Sequence, residues 1–240
     1  MWLATDPRGG PIVMMANGYV PTRVSSFAIE QMMAKCTESQ LSQARADAFQ
    51  EKGHYFYKLD IPGLDSSLVF DMTTHIQTGN PSLAWHKRRY GAGATATRAL
   101  GAGHVYAYGK HLTGDYLTGN LYFYDDTNAT DNGVPLTRVR TSPYVSNGIN
   151  RIRYNALQID YTPAPSASQG PPPQCVLEYS DDGRTWSDEI VHSLGTVGNF
   201  KEYTIFWRLG VSRRRVYRIT DTGNIAGITG ATVTIDPGRT

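Results

Sequence analysis

The chain is poor in cysteine: Cys36 and Cys175 are the two present among 240 residues. They match no metal-ligand or redox spacing, which argues against a zinc module or a thioredoxin-type centre. Buried thiols in a protein assembled in a reducing cytoplasm are the simplest reading, and a disulfide between them has no support in the sequence. Charge is also scarce, at 18% Asp, Glu, Lys and Arg with a net charge of +2. That balance is too small to argue by itself for nucleic acid or an anionic membrane. No apolar run approaches the roughly 18–20 residues of a membrane span. The start, Met1 to Gly10, lacks the basic and apolar regions of a signal peptide, so no membrane partner is expected. Gly-x-Ser-x-Gly, His-Glu-x-x-His and a phosphate-binding glycine loop are all missing. The reading is therefore not an enzyme, with no catalytic, cofactor or metal site expected.

What is there suits short strands joined by turns: Gly 24, Pro 13, Tyr 15, and 11% aromatic residues. The length allows one large all-β domain or two small ones. The most informative stretch is Gln174 to Ile190, where an alternating apolar strand runs into Asp181-Asp182-Gly183 and leaves through Thr185 and Trp186. The spacing Asp181-x-Gly183-x-Thr185-Trp186 is that of an Asp-box hairpin. Such a hairpin holds its turn with the aspartate on backbone N–H groups and pins the tryptophan underneath. It is a structural staple of β-propellers and other all-β folds. Two strand-like runs follow, Lys201–Leu209 and Arg213–Thr220.

Further strands pair along the chain. Ile12–Ala16 and Tyr19–Val24 flank Asn17-Gly18, a strong hairpin signal. Ser26–Lys35 is the one convincing helix, with Ser25 or Ser26 able to cap it. Ala44–Gln50 and His54–Ile61 form a second hairpin through Glu51-Lys52-Gly53, and Ser67–Met72 and Ala84–Tyr90 supply two more strands. Gly53-His54-Tyr55-Phe56-Tyr57, with Val69-Phe70-Asp71 behind it, is echoed by Gly103-His104-Val105-Tyr106-Ala107, with Phe123-Tyr124-Asp125 behind it. An echo at roughly 50 residues is the length of a propeller blade. Leu136–Arg140 and Arg151–Tyr161 read as strands beyond the polar loop Asp125–Gly133. Pro163–Pro173 is an extended, low-complexity connection, either a linker or, preferably, a long loop between strands. The expected organisation is propeller blades over 1–162, the proline-rich loop over 163–173, and a C-terminal blade or β subdomain with the Asp-box over 174–240.

Several residues invite a sharper reading than they support. His54 and His104 could ligate a metal, but no third ligand stands at a recognisable spacing. Asp181 and Asp182 could bind calcium, yet the turn accounts for Asp181 without an ion. The runs Trp85–Tyr90 and Arg213–Arg215 could meet DNA phosphates. Alternation on a strand splits three consecutive arginines between two faces, which favours subunit contacts or a solvated face over one patch. The tyrosines Tyr55, Tyr57, Tyr106, Tyr108, Tyr122 and Tyr124 suit packing between sheets.

Taken in order, a larger set of residues resembles a known family. It runs Asn17-Gly18-x-x-Pro21-x-Arg23-Val24-Ser25 with Ala28-Ile29-Glu30, then Gly53-His54-x-Phe56-Tyr57, Arg140-Thr141-Ser142-Pro143-Tyr144 and Leu157-Gln158-Ile159-Asp160. The Asp-Gly-Arg-Thr-Trp run comes next, and Trp207-Arg208-Leu209-Gly210, Arg214-Arg215-Val216-Tyr217 and Gly230-Ala231 close it. This order resembles the packaged-DNA stabilisation protein, or tail hub or nozzle, of short-tailed phages, over nearly the whole chain. The resemblance implies a propeller-rich subunit in a hexameric ring below the portal and its adaptor. It further implies a tail needle or tip and tail fibres or spikes as partners, and genomic DNA passing through the channel. The virion is the implied location, after assembly in the bacterial cytoplasm. Relatives are longer at the N-terminus, so a truncated chain, a split gene or a short family member is expected. Two readings compete. A sialidase-like hydrolase also carries Asp-boxes, but would need an arginine cluster, a tyrosine–glutamate pair and an acid/base aspartate. A carbohydrate-binding module would need an exposed aromatic platform.

Overall fold

The computed structural model describes residues 1–7, 9–125, 128, 130–162, 172–196, 199–223 and 227–237. The backbone alone is described at 94, 196, 199 and 200. The fold is mainly β and falls into two compact units, Met1–Tyr124 and Asp125–Thr240.

The first unit is a succession of antiparallel meanders. Strands β1 (Trp2–Thr5), β2 (Pro11–Asn17) and β3 (Val20–Arg23) make the first sheet. Asn17 pairs with Val20, so the tight loop is Gly18-Tyr19, one residue later than the Asn-Gly signal suggests. Gly18 takes a φ of 63°, the left-handed conformation such a loop demands. Helices α1 (Phe27–Met33) and α2 (Glu38–Ser42) lead into the second sheet. Strands β4 (Arg45–Glu51), β5 (His54–Asp60) and β6 (Ser67–Asp71) come first in it. After α3 (Met72–Thr78) and α4 (Pro81–Ala84), β7 (Trp85–Tyr90) and β8 (Thr97–Arg98) complete the five strands in sequential order. The third sheet is β9 (Gly101–Ala107), β10 (Lys110–Asp115) and β11 (Leu121–Phe123).

All five residues of β6 are buried, as befits a central strand covered on both faces. Leu59, Ile61, Leu68 and Phe70 form one core with Val13, Val24, Ile29 and Met33. Each such side chain contributes about 1.5–3 kcal/mol relative to exposure. The indole of Trp85 donates to the Val24 carbonyl at 2.8 Å, tying β7 to the first sheet's exit. Lys58, 2% exposed, is buried with Asp60 at 2.7 Å; the lysine also donates to the Gly101 carbonyl, and Ser67 donates to Asp60.

Two expectations are corrected here. The structure holds four α-helices among the described residues, not one. The Thr37 side chain and Gln40 form a capping box at α2, Asp71 caps α3 through the Thr74 N–H, and Asn80 caps α4 through the Ser82 N–H ahead of Pro81. These helices are only four to seven residues long, too short for a 3.6-residue period to stand out. At α1 the Ser26 side chain makes no cap bond, while Ser25 bonds Glu30 at 2.6 Å.

The echo at 50 residues is also not a structural repeat. His54 opens β5 directly after the turn glycine Gly53, whereas His104 lies inside β9, where the pairing with β10 is irregular. The segments behind them differ too: β6 pairs with β5, but β11 pairs with β10 and never touches β9's edge.

The second unit begins with a small hairpin, β12 (Thr130–Asp131) and β13 (Val134–Pro135). It continues through β14 (Thr137–Thr141), β15 (Val145–Ser146), β16 (Ile152–Thr162), β17 (Gln174–Ser180) and β18 (Ile190–Ser193). A second small hairpin is β19 (Gly195–Thr196) and β20 (Asn199–Phe200). Then follow β21 (Tyr203–Trp207), β22 (Val211–Ser212), β23 (Arg214–Thr222) and β24 (Gly227–Pro237). One sheet runs β14-β23-β17-β18, with β15 also paired to β23. The other is built on β16, flanked by β24 on one side and by β21 and β22 on the other. Their inner faces close on Ile152, Tyr154, Leu157, Ile159, Leu177, Phe206, Tyr217 and Ile219. This is a β-sandwich, not a further propeller blade.

A register shift between Tyr154 and Ala156 resets the alternation along β16. Ile152 and Tyr154 point into the core before it, and Leu157, Ile159 and Tyr161 after it. Because β16 pairs with β21 and β24, it belongs to the sandwich. The unit boundary therefore falls at 124/125 rather than at 162/163. Of the proline-rich stretch Pro163–Pro173, positions 163–171 lie outside the described residues.

Candidate functional site

The turn after β17 is closed at its base by the Ser187 N–H donating to the Tyr179 carbonyl at 2.9 Å and the Tyr179 N–H donating to Ser187 Oγ at 3.1 Å. Within it, Asp182 Oδ1 accepts from Arg184 N and Thr185 N, both at 2.7 Å, and from Ser180 Oγ at 2.9 Å. Ser180 Oγ in turn accepts from Gly183 N at 2.9 Å. The backbone N–H groups of Arg184 and then Thr185, followed by Ser180, hold the Asp182 carboxyl well below its ordinary range.

The turn aspartate is thus Asp182, where the spacing pointed to Asp181. Asp181 instead grips Arg215 with both oxygens, at 2.7 Å to Nε and 3.0 Å to Nη2. Arg215 is 3% exposed. Its remaining donors reach the Leu209 carbonyl, and its guanidinium lies 4.1 Å from the ring centre of Tyr179 and 4.7 Å from that of Tyr154. Such a fork satisfies a planar cation that would otherwise be costly to bury.

The other Asp-box positions divide. Gly183 has φ +77°, a conformation that strains any other residue, and a Cβ there would stand 2.4 Å from the Tyr144 hydroxyl, which would have to shift. Thr185 serves through its backbone N–H. Trp186 is half-buried with the Arg218 guanidinium 4.0 Å from its ring centre, and Arg218 forks onto Glu178 at 2.7 and 2.5 Å. Neither aspartate is arranged for calcium, and among the described residues no cluster of three or more His, Cys, Asp or Glu could hold a metal.

Beside this turn lies an open cleft of about 700 Å³ lined by Ser146, Gly148, Ile149, Arg151, Asp181 and the 211–214 segment. Of the arginine run, Arg213 and Arg214 share this cleft while Arg215 is turned inward to Asp181. Alternation therefore separates Arg215 but not the other two, because β23 begins only at Arg214. Arg214 lies 5.0 Å from the Tyr144 ring centre.

In the first unit the histidines are engaged locally. His54 Nδ1 is 2.7 Å from Asp71 Oδ2, and His104 Nε2 is 2.9 Å from His111 Nδ1, so a single proton serves that second pair. The Trp85–Tyr90 run is spent similarly: Arg88 lies over Phe49, Phe56 and Tyr124, and Arg89 pairs with Asp65 at 2.6 Å. Of the six tyrosines expected between sheets, Tyr57 is buried, whereas Tyr55, Tyr106 and Tyr108 are exposed. Tyr108 occupies a hairpin turn at φ 55° and faces solvent for that reason. Cys36 and Cys175 are both free thiols. Sequence reasoning missed buried Arg215 and Lys58: a charged residue in a strand signals burial only once its partner, 34 positions away for Arg215, is placed.

Sequential antiparallel meanders followed along the chain by a β-sandwich define a mainly β, two-unit protein. Comparison with known families is specific on this point. Residues 1–129 match the family described as bacteriophage P22 Gp10, beta-propeller, and residues 137–236 the one described as bacteriophage P22 Gp10, beta-sandwich. The chain belongs to this family of packaged-DNA stabilisation, or tail nozzle, proteins; it is a structural protein of a phage tail and a component of the virion. No curated protein matches it.

Proposed function

We propose that the chain forms part of the tail's DNA channel, keeps packaged DNA in the capsid, and links the portal adaptor to distal tail parts. It acts as a ring of identical copies, six by family resemblance, assembled in the host cytoplasm. Its work is mechanical and interfacial, with no bond-making chemistry. The observation that carries this reading is the match of two successive domains of one tail family, in order, over nearly the whole chain. The test is to assemble particles without this protein and measure nuclease-sensitive DNA. Particles that fill and then leak their genome, and stop leaking when the purified chain is added back, support the proposal. Particles that retain DNA without it refute the stabilising role.

A further inference from the structure

The cleft beside the turn contains more positive charge than the fold uses. Arg151, Arg213 and Arg214 all line it and are all exposed. Among the described residues none of the three has a carboxylate partner; Arg214 has only the Tyr144 ring. The single acidic side chain in the lining, Asp181, is already committed to buried Arg215. The unused charge is therefore close to three positive units around one cavity of about 700 Å³, a volume typical of ligand sites.

The rest of the lining is two serines, Ser146 and Ser212, with Gly148 and two aliphatic side chains. Ile149, 86% exposed at a tight turn in which Asn147 and Asn150 bridge, and Val211, 50% exposed, both belong to the lining. Val211 belongs to β22, which among the described residues pairs with β16 and with no second strand. Exposed aliphatic side chains that remain in water gain by being covered. A free strand edge gains a peptide backbone's hydrogen bonds.

From these features we infer that the cleft is a docking site for an acidic, aliphatic peptide segment of a partner protein. Its carboxylates lie on Arg151, Arg213 and Arg214, and its apolar side chains lie against Ile149 and Val211. Guanidinium groups suit carboxylates because two parallel N–H bonds match two oxygens. A nucleic-acid backbone fits less well. It carries a continuous row of phosphates, and the exposed carboxylate of Asp182, held ionised, stands one residue beyond the lining residue Asp181. Its sugar–phosphate chain also offers Ile149 less apolar cover than an aliphatic side chain does.

The experiment titrates the full chain into a fluorescein-labelled octapeptide of alternating Glu and Val, with anisotropy as the readout. A labelled single-stranded pentanucleotide, which carries four phosphates, is the comparison. Among the described residues the Arg151 and Arg213 side chains have no hydrogen-bond, ion-pair or ring partner, so the Arg151→Gln/Arg213→Gln double variant should melt as the parent does. The expected result is saturable peptide binding that weakens with salt, drops at least tenfold in the double variant, and exceeds binding of the oligonucleotide. A second variant, Ile149→Ser, should weaken the peptide but leave the oligonucleotide unchanged. The inference is overturned if the peptide does not saturate, or if the double variant binds it within twofold of the parent. It is equally overturned if the oligonucleotide binds more tightly, which would assign the cleft to nucleic acid.

Discussion

Asp181→Ala should destabilise the sandwich through a residue it leaves behind. The substitution strips the carboxylate from Arg215, which is 3% exposed and has no other acidic partner among the described residues. Breaking a buried pair by removing one member costs about 3–5 kcal/mol. Two features moderate that here. The Asp181 side chain is 45% exposed, so water can reach the vacated position, and Arg215 keeps the Leu209 carbonyl and the faces of Tyr154 and Tyr179. The expected loss is about 2–3 kcal/mol. Arg215→Met removes the buried charge itself, keeps much of its volume, and leaves Asp181 free to hydrate; its cost should be nearer 1 kcal/mol. Hydrogen exchange read by mass spectrometry on the amides of β17 and β23 isolates the sandwich from the first unit. Protection there should fall roughly 30- to 150-fold in Asp181→Ala. A change below twofold, or a larger loss in Arg215→Met, would refute the reasoning.

Other predictions concern the same unit. The folded Asp182 carboxyl titrates below its unfolded value of 3.8, so its contribution is full above that pH and is lost as pH falls below it. Between pH 5 and pH 3 the parent should therefore lose more thermal stability than Asp182→Asn, which keeps an oxygen acceptor but cannot titrate; equal losses would count against the turn assignment. Gly183→Ala should cost about 1–2 kcal/mol, and Tyr144→Phe in that background should remove the hydroxyl clash while leaving about 1 kcal/mol of backbone strain, measured by urea denaturation. Burial pushes the Cys175 thiol up to about 11, so in the native chain a thiol reagent at pH 8 should spare Cys175 until urea unfolds the sandwich. Labelling of both cysteines at equal rates would contradict its burial.

The strands were largely legible because alternation and turn residues are local signals. The Lys52-Gly53 loop, with both residues at positive φ, joins β4 and β5 where the sequence placed it. Strand β24 was not read as one: Gly227 opens it and Gly230 interrupts it, and its case rests on pairing with β16, roughly 65–85 residues earlier in the chain. The choice between Asp181 and Asp182 shows the same limit. Both stand beside a turn glycine, and only the position of Arg215 on the neighbouring β23, where Ser180 pairs with Val216, decides which one turns away. The sandwich itself was hidden because two packed sheets and one more blade share the same strand pattern. The family resemblance escaped this difficulty, since it rests on order along the chain rather than on contacts.

The most direct test of the proposed role is the native mass of the purified chain by light scattering, alone and with the portal-adaptor protein of its phage. A discrete assembly near six times the 26.5 kDa chain mass, formed alone or on mixing with the adaptor, is the predicted result. A monomer under both conditions would contradict the ring and, with it, the channel.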